Sequence, residues 1–151
     1  METKASLDAK LEELFEALPL ERAMESLRAG AIPTQAHALV SQIDAPKSLL
    51  AGLWLYVNDL ERSHEISQSL STPTGSYWHG IMHRREGDFW NSKYWFRQVG
   101  NHPAMAEIGY DPYEFVDACE VDRGRDQKDL IDLQRREWQT LFEWCRQEAL
   151  A

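Results

Sequence analysis

The sequence lacks the features that mark secreted and membrane proteins. Its only cysteines, Cys119 and Cys145, form no CxxC pair, so we expect both thiols to be reduced rather than part of a disulfide framework. No run approaches the roughly 18 apolar residues of a membrane span. The N-terminal stretch METKASLDAKLEELFEALP has no apolar core of a secretory signal. We therefore expect a cytoplasmic protein.

Positive charge is also scarce. Lys and Arg number 16 against 25 Asp and Glu, and the net charge of −9 opposes attraction to phosphate backbones and anionic lipid. Neither nucleic acid nor a membrane is expected as a partner. The stretch 62–103 differs from the rest, because its five basic and three acidic residues make it locally positive.

Strand patterns are missing as well, because no stretch sustains an alternation of apolar and polar residues. Apolar residues recur instead at helical spacing, and the composition, 43% hydrophobic and 27% charged, is that of a globular protein. The sequence predicts one all-α domain over residues 1–151, with seven to nine helices in antiparallel hairpins, as an irregular bundle or a TPR-like array. Residues 126–150 are predicted as a C-terminal packing helix.

Proline, glycine and cap residues predict where the helices begin and end. The predicted segments are a first helix from Ser6 to Leu18, a second over Leu20 to Leu27, a third after Pro33, a fourth that Asp44 caps with Pro46 in its first turn, a fifth after Asp59, a hairpin of 76–86 and 88–99, a short turn after Pro103, and a segment from Asp111 through Cys119.

Residues 46–104 indicate an internal repeat. Asn58-Asp59-Leu60 aligns with Gly87-Asp88-Phe89, and the same offset of 29 residues places Ser63 on Ser92 and Gly52 next to Gly80. Small residues that let helices approach, followed by a polar turn, resemble tetratricopeptide hairpins, although their repeat is about 34 residues long. We predict a TPR-like hairpin core here.

The segment SYWHGIMHRREGDFWNSKYWFRQVGNHP, residues 76–103, concentrates the side chains that carry chemistry. It holds seven of the sixteen aromatic residues and three of the five histidines. A metal site is one hypothesis, because His79 and His83 are four apart on a predicted helix and can face one divalent ion. A third ligand would come from His64, Glu86 or His102, and the alternative is ordinary hydrogen-bonded packing.

An anion site is a second hypothesis, because guanidinium groups bind carboxylate or phosphate in two-point geometry. The candidates are His83, Arg84 and Arg85 together with Lys93 and Arg97. The alternative is an internal ion network in which Arg84 or Arg85 pairs with Glu86 or Asp88 and holds the hairpin turn.

Aromatic side chains suggest a third hypothesis, a site at which a ligand stacks on rings. The tryptophans suit stacking on a planar or sugar-like ligand, with Asn91 and Tyr94 for orientation. Clustered aromatic residues are more often core, and tryptophan, tyrosine and arginine also anchor protein interfaces. No nucleophile stands in a GxSxG motif, no HExxH is present, and no glycine-rich phosphate loop follows a strand. An enzyme is therefore the less favoured class, with His79, His83 and Glu86 as its acid, base or metal-assisted centre.

Four strings, SHxxxQ, TGSYWH, HRREGD and KYWFR followed by HP, resemble a family of bacterial proteins without a known activity, over roughly residues 50–104. The resemblance marks positions but assigns no roles. The preferred interpretation is a ligand- or peptide-binding module whose pocket or groove is lined by His64, Trp78, His79, His83, Arg84, Arg85, Asn91, Tyr94, Arg97 and His102. Its partner would be a small anionic or aromatic ligand, a peptide or protein, or a second copy of the chain. A metal-assisted enzyme and a purely structural module are the alternatives.

Overall fold

The computed structural model describes residues 3–150, and within this range the chain folds into nine α-helices without a strand. The all-α prediction is confirmed. The helices are α1 (Lys4–Ala17), α2 (Thr34–Ser41), α3 (Lys47–Tyr56), α4 (Leu60–Gln68), α5 (Pro73–Glu86), α6 (Phe89–Val99), α7 (Pro103–Ile108), α8 (Pro112–Asp122) and α9 (Lys128–Leu150). None of the described helices is both long and apolar enough to cross a bilayer.

Three helix starts differ from the prediction, and in two of them another side chain supplies the cap. Thr3 caps α1 by accepting a hydrogen bond from the backbone N–H of Ser6, the residue predicted as the cap. Thr72 caps α5, which therefore begins at Pro73 rather than at residue 76. Pro46 lies just before α3 in extended backbone instead of within its first turn.

The predicted second helix is wrong, because residues 20–27 form turns and bends. Ala23, Met24 and Leu27 are nevertheless buried, as their spacing indicated. Met24 has a φ of 49°, which interrupts any helix. Side chains of distant helices replace the helical hydrogen bonds: the Arg135 Nε donates to the Ala23 carbonyl at 2.9 Å and the Gln134 Nε2 to the Met24 carbonyl at 3.3 Å.

The hairpins α3–α4 and α5–α6 repeat the same buried contact at an offset of 29 residues. In the first hairpin, the Ser63 hydroxyl donates to the Ala51 carbonyl at 2.8 Å. In the second, the Ser92 hydroxyl donates to the Gly80 carbonyl at 2.6 Å. Both serines are fully buried, so each hydroxyl ties the second helix of its hairpin directly to the backbone of the first.

The two hairpin turns repeat as well. Asn58 and Gly87 adopt left-handed backbone with φ of 63° and 87°. The aspartate that follows each of them caps the next helix: Asp59 accepts from a backbone N–H of α4 at 3.1 Å, and Asp88 from one of α6 at 3.2 Å. The sequence alignment of the two hairpins therefore corresponds to equivalent local geometry.

The core lies where α3, α5 and α9 meet. Seven of the ten residues of α3 are buried, and Gly52 lets α5 approach so closely that a Cβ at this position would lie 2.7 Å from the Trp78 ring. The Trp138 Nε1 of α9 donates to the Gly52 carbonyl at 2.7 Å, and its ring stacks on Phe142. The C-terminal helix α9 therefore packs against the first hairpin.

Candidate functional site

Three imidazoles come together between the two hairpins. His64 lies on α4, whereas His79 and His83 lie one turn apart on α5. One candidate ligand nitrogen from each lies within 4.8 Å of those of the other two. We call these three residues the histidine cluster. Because its members come from two packed helices, the cluster depends on how α4 docks on α5.

The innermost member of the cluster is His79, which is 3% exposed. Its ring stacks on Trp95 of α6 with a centroid distance of 3.8 Å and on His83 at 4.8 Å, and His64 meets it edge-on at 4.7 Å. Burial, followed by the neighbouring His83 and His64, lowers the pKa of His79 to about 3. His79 is therefore neutral at neutral pH, and its Nδ1 has no hydrogen-bond partner.

Glu86 orients one member of the cluster. The His83 Nδ1 lies 2.6 Å from the Glu86 Oε1, and the His83 side chain is 11% exposed against 41% for Glu86. Asp88 is also close to His83. However, its two carboxylate oxygens already accept hydrogen bonds from the backbone and side-chain amides of Asn91. The predicted ligand Asn91 therefore serves the cap of α6.

Arg84 is used inside the protein rather than in a pocket. Its guanidinium and the Glu137 carboxylate of α9 form two hydrogen bonds of 2.7 and 3.0 Å, and both side chains have 0% exposure. It also lies over the Phe115 ring at 4.3 Å. The proposed network thus exists, but its acid is Glu137 and not Glu86 or Asp88. Arg84 is not available to bind a ligand.

Arg85 is also internal, contrary to its predicted role in a pocket. Its guanidinium donates to the Leu55 carbonyl at 3.0 Å and to the Asn58 Oδ1 at 2.8 Å, with a longer bond of 3.4 Å to the Leu27 carbonyl. Burial, together with the adjacent Arg84, lowers its pKa to about 9. Arg85 therefore holds the irregular segment 20–27 against the first hairpin.

Two further predicted ligands belong to the packing of the fold. Trp78 is fully buried beneath Gly52. His102 lies away from the cluster and caps α7: its Nδ1 accepts from the Ala104 N–H at 3.1 Å, and its Nε2 lies 3.0 Å from the Thr74 hydroxyl. His102 therefore does not complete a metal site with His79 and His83.

An aromatic and basic stripe covers the outer side of α6. Trp90 is 72% exposed and Tyr94 40% exposed, and their rings are nearly parallel with centroids 6.4 Å apart. Arg97 is exposed one turn further along the same face. We call these three residues the α6 stripe. Neighbouring Lys93 pairs with Asp117 of α8, so it is turned toward that helix.

Several important residues escaped the sequence interpretation. Glu137 and Gln134 bind Arg84, Tyr110 donates to Glu137 at 2.6 Å, and Trp95 forms a wall of the histidine cluster. A signal was present for two of them. Gln134 and Glu137 fall among the apolar residues of α9 that face the core, and a polar side chain at such a position needs an internal partner.

Comparison with known proteins returned no relative: no protein-family model, no curated protein and no solved structure matches the chain.

Proposed function

We propose that this chain is a protein-interaction module, in which a TPR-like pair of helical hairpins presents the α6 stripe to an acidic segment of a partner protein. The observation that carries the proposal is the exposure of Trp90 beside Tyr94 and Arg97. These three residue types are the commonest energetic anchors of protein interfaces. The internal use of Arg84 and Arg85 moves the proposed binding surface from a pocket to the outer side of α6.

The first hairpin has no aromatic residue at the positions of α4 that are equivalent to the α6 stripe. At the offset of 29 residues, the positions equivalent to the stripe on α4 are Glu61, Glu65 and Gln68, which are all exposed. Solvent exposure at these positions therefore needs no aromatic side chain. Two exposed aromatic rings on α6 are better explained by a contact than by the fold.

Charge indicates the chemistry of the partner. The sequence FWNSKYWFRQV of α6 has no acidic residue, and Arg97 gives the stripe its positive charge, whereas Lys93 pairs with Asp117, within a protein of net charge −9. A partner segment with carboxylates beside an apolar anchor complements this stripe, because charged groups at the rim steer the encounter while rings at the centre supply affinity. We place this interaction in the cytoplasm, where the free and buried Cys119 and Cys145 stay reduced.

Selection from a displayed random-peptide library tests the proposal. The wild-type protein is expected to enrich peptides with acidic residues around an aromatic or aliphatic anchor. Trp90→Ala is expected to weaken binding of a selected peptide at least tenfold, since a hot-spot side chain contributes about 2 kcal/mol or more.

Glu61→Ala on α4 is the matched control, because it changes the exposed position equivalent to Trp90, and it should leave peptide binding unchanged. Selection of the same peptides by wild-type protein and Trp90→Ala would contradict the proposal. Sedimentation of both proteins examines the rival occupant: a wild-type dimer that Trp90→Ala converts to a monomer would show that the stripe binds a second copy instead.

A further inference from the structure

We propose that His64, His79 and His83 bind one divalent cation of the zinc type between the two hairpins. The inference is independent of the α6 stripe, because its ligands lie on α4 and α5 and it survives if no peptide partner exists. The sequence alone predicts that His79 and His83 of α5 can face one ion. The third imidazole comes from α4, and the way the two hairpins pack brings it within reach of the pair.

The inner imidazole gives the strongest reason to expect a ligand. Buried polar atoms almost always have a hydrogen-bond partner, yet the Nδ1 of His79 has none, at a residue that is 3% exposed. Two more imidazoles lie against the His79 ring, His64 edge-on and His83 stacked. One cation satisfies all three rings at once, because each neutral imidazole offers a nitrogen lone pair. None of the three rings carries a negative charge that a proton would neutralise instead.

A carboxylate also prepares His83 for coordination. An ionised Glu86 only accepts hydrogen bonds, so the 2.6 Å contact requires the proton of the His83 ring to be on Nδ1. This tautomer leaves the lone pair on Nε2, the nitrogen free to bind an ion. Imidazoles that bind metal ions usually donate their other N–H to such a carboxylate or carbonyl partner.

The donor set selects the class of cation. Imidazole nitrogen suits Zn²⁺, Co²⁺, Ni²⁺ and Cu²⁺, whereas Mg²⁺ and Ca²⁺ require oxygen ligands that the cluster does not supply. Zinc–nitrogen bonds of about 2.0–2.1 Å place tetrahedral ligands roughly 3.4 Å apart. The three nitrogens lie within 4.8 Å of one another, so each pair has to close by at most about 1.4 Å to reach that spacing.

Three protein ligands leave one tetrahedral position open. Asp88 lies close to His83 but is not part of the group that the three histidine nitrogens form. Structural zinc sites are closed by a fourth protein ligand, whereas sites with three ligands keep a water or an exogenous anion in the last position. We therefore expect the bound ion to exchange its fourth ligand with small anions, such as azide.

Zinc titration of the untagged protein tests the site. Calorimetry with a competing chelator is expected to give one Zn²⁺ per chain, with affinity falling roughly 100-fold or more in His64→Gln, since loss of even an outer partner lowers affinity about 10- to 100-fold. Glu86→Gln is expected to lower it by that smaller factor. Because His64 is only half-buried, His64→Gln keeps the fold, which circular dichroism in the presence of a chelator verifies.

His37→Gln is the matched control, since His37 is another half-buried imidazole that bonds Asp59 outside the cluster. It should bind zinc as the wild type does. Cobalt gives a second readout: a strong four-coordinate visible spectrum that shifts on addition of azide is expected for the wild type and His37→Gln only. Equal zinc affinity in the wild type and His64→Gln, or a weak six-coordinate cobalt spectrum common to both, would overturn the site.

Discussion

Removal of the Glu137 carboxylate should destabilise the protein more than any other single polar change. Glu137→Leu leaves the Arg84 guanidinium in the core with 0% exposure and without its acid. It breaks two bonds of 2.7 and 3.0 Å and also removes the acceptor of the Tyr110 hydroxyl. Loss of one partner of a buried ion pair costs about 3–5 kcal/mol, a large part of the 5–15 kcal/mol that stabilises a typical domain.

The double variant Arg84→Met with Glu137→Leu separates the cost of a stranded charge from the value of the pair itself. With both charges gone, apolar side chains of similar volume fill the space, and the Tyr110 hydroxyl keeps the Tyr77 hydroxyl 2.6 Å away as its partner. Replacement of a complete buried pair is often neutral or stabilising. We expect the double variant to recover most of the stability that Glu137→Leu loses.

Urea unfolding followed by circular dichroism measures both variants against the wild type. The expected result is a large fall in the unfolding midpoint for Glu137→Leu and a midpoint near that of the wild type for the double variant. A loss below about 1 kcal/mol in Glu137→Leu would refute the reasoning, because it is the size expected for an exposed salt bridge. A double variant as unstable as Glu137→Leu would show instead that shape, not charge, decides the site.

Three other predictions follow from close contacts and titrating groups. Gly52→Ala should cost about 1–3 kcal/mol in urea unfolding, because its Cβ would lie 2.7 Å from the Trp78 ring and force α3 and α5 apart; an unchanged midpoint would contradict this packing. Ser63→Ala and Ser92→Ala should each cost about 1 kcal/mol, and a cost at only one of them would show that the two hairpins are not energetically equivalent. Burial lowers the pKa of His102 in the folded protein, so the unfolded chain binds more protons below its own pKa of about 6.5 and stability should fall as pH drops below that value. His102→Asn, which keeps a capping oxygen, should show a shallower fall than the wild type, and equal slopes would exclude His102 as a cause.

Local signals predicted most of the fold. Prolines, glycines and aspartates mark helix ends through interactions within a few residues, and Asp88 with Gly87 defines the α5–α6 turn as expected. The one wrong helix, over residues 20–27, had suitable apolar spacing. The spacing predicted burial correctly but not backbone, because turns held by distant side chains can bury the same residues.

The candidate site was less predictable, because its partners are far apart in sequence. His79 and His83 form a pair by helical spacing alone, whereas His64 joins them only when α4 docks on α5. Arg84 had Glu86 and Asp88 nearby in sequence, yet it binds Glu137, which is 53 residues away. Oppositely charged residues nearby in sequence do not identify the ion-pair partner of a side chain that points into the core.

The turns of residues 20–27 cannot become ordered until late in folding. Their carbonyl groups are held by Arg85, Gln134 and Arg135, at separations of 58 residues for Leu27, 108 for Ser26 and 112 for Ala23. Contacts this distant form only after the intervening chain has collapsed, since loop closure precedes any gain from them. During synthesis, the Ala23 and Ser26 carbonyls must therefore wait for nearly the whole sequence to emerge before they meet the side chains of α9 that hold them.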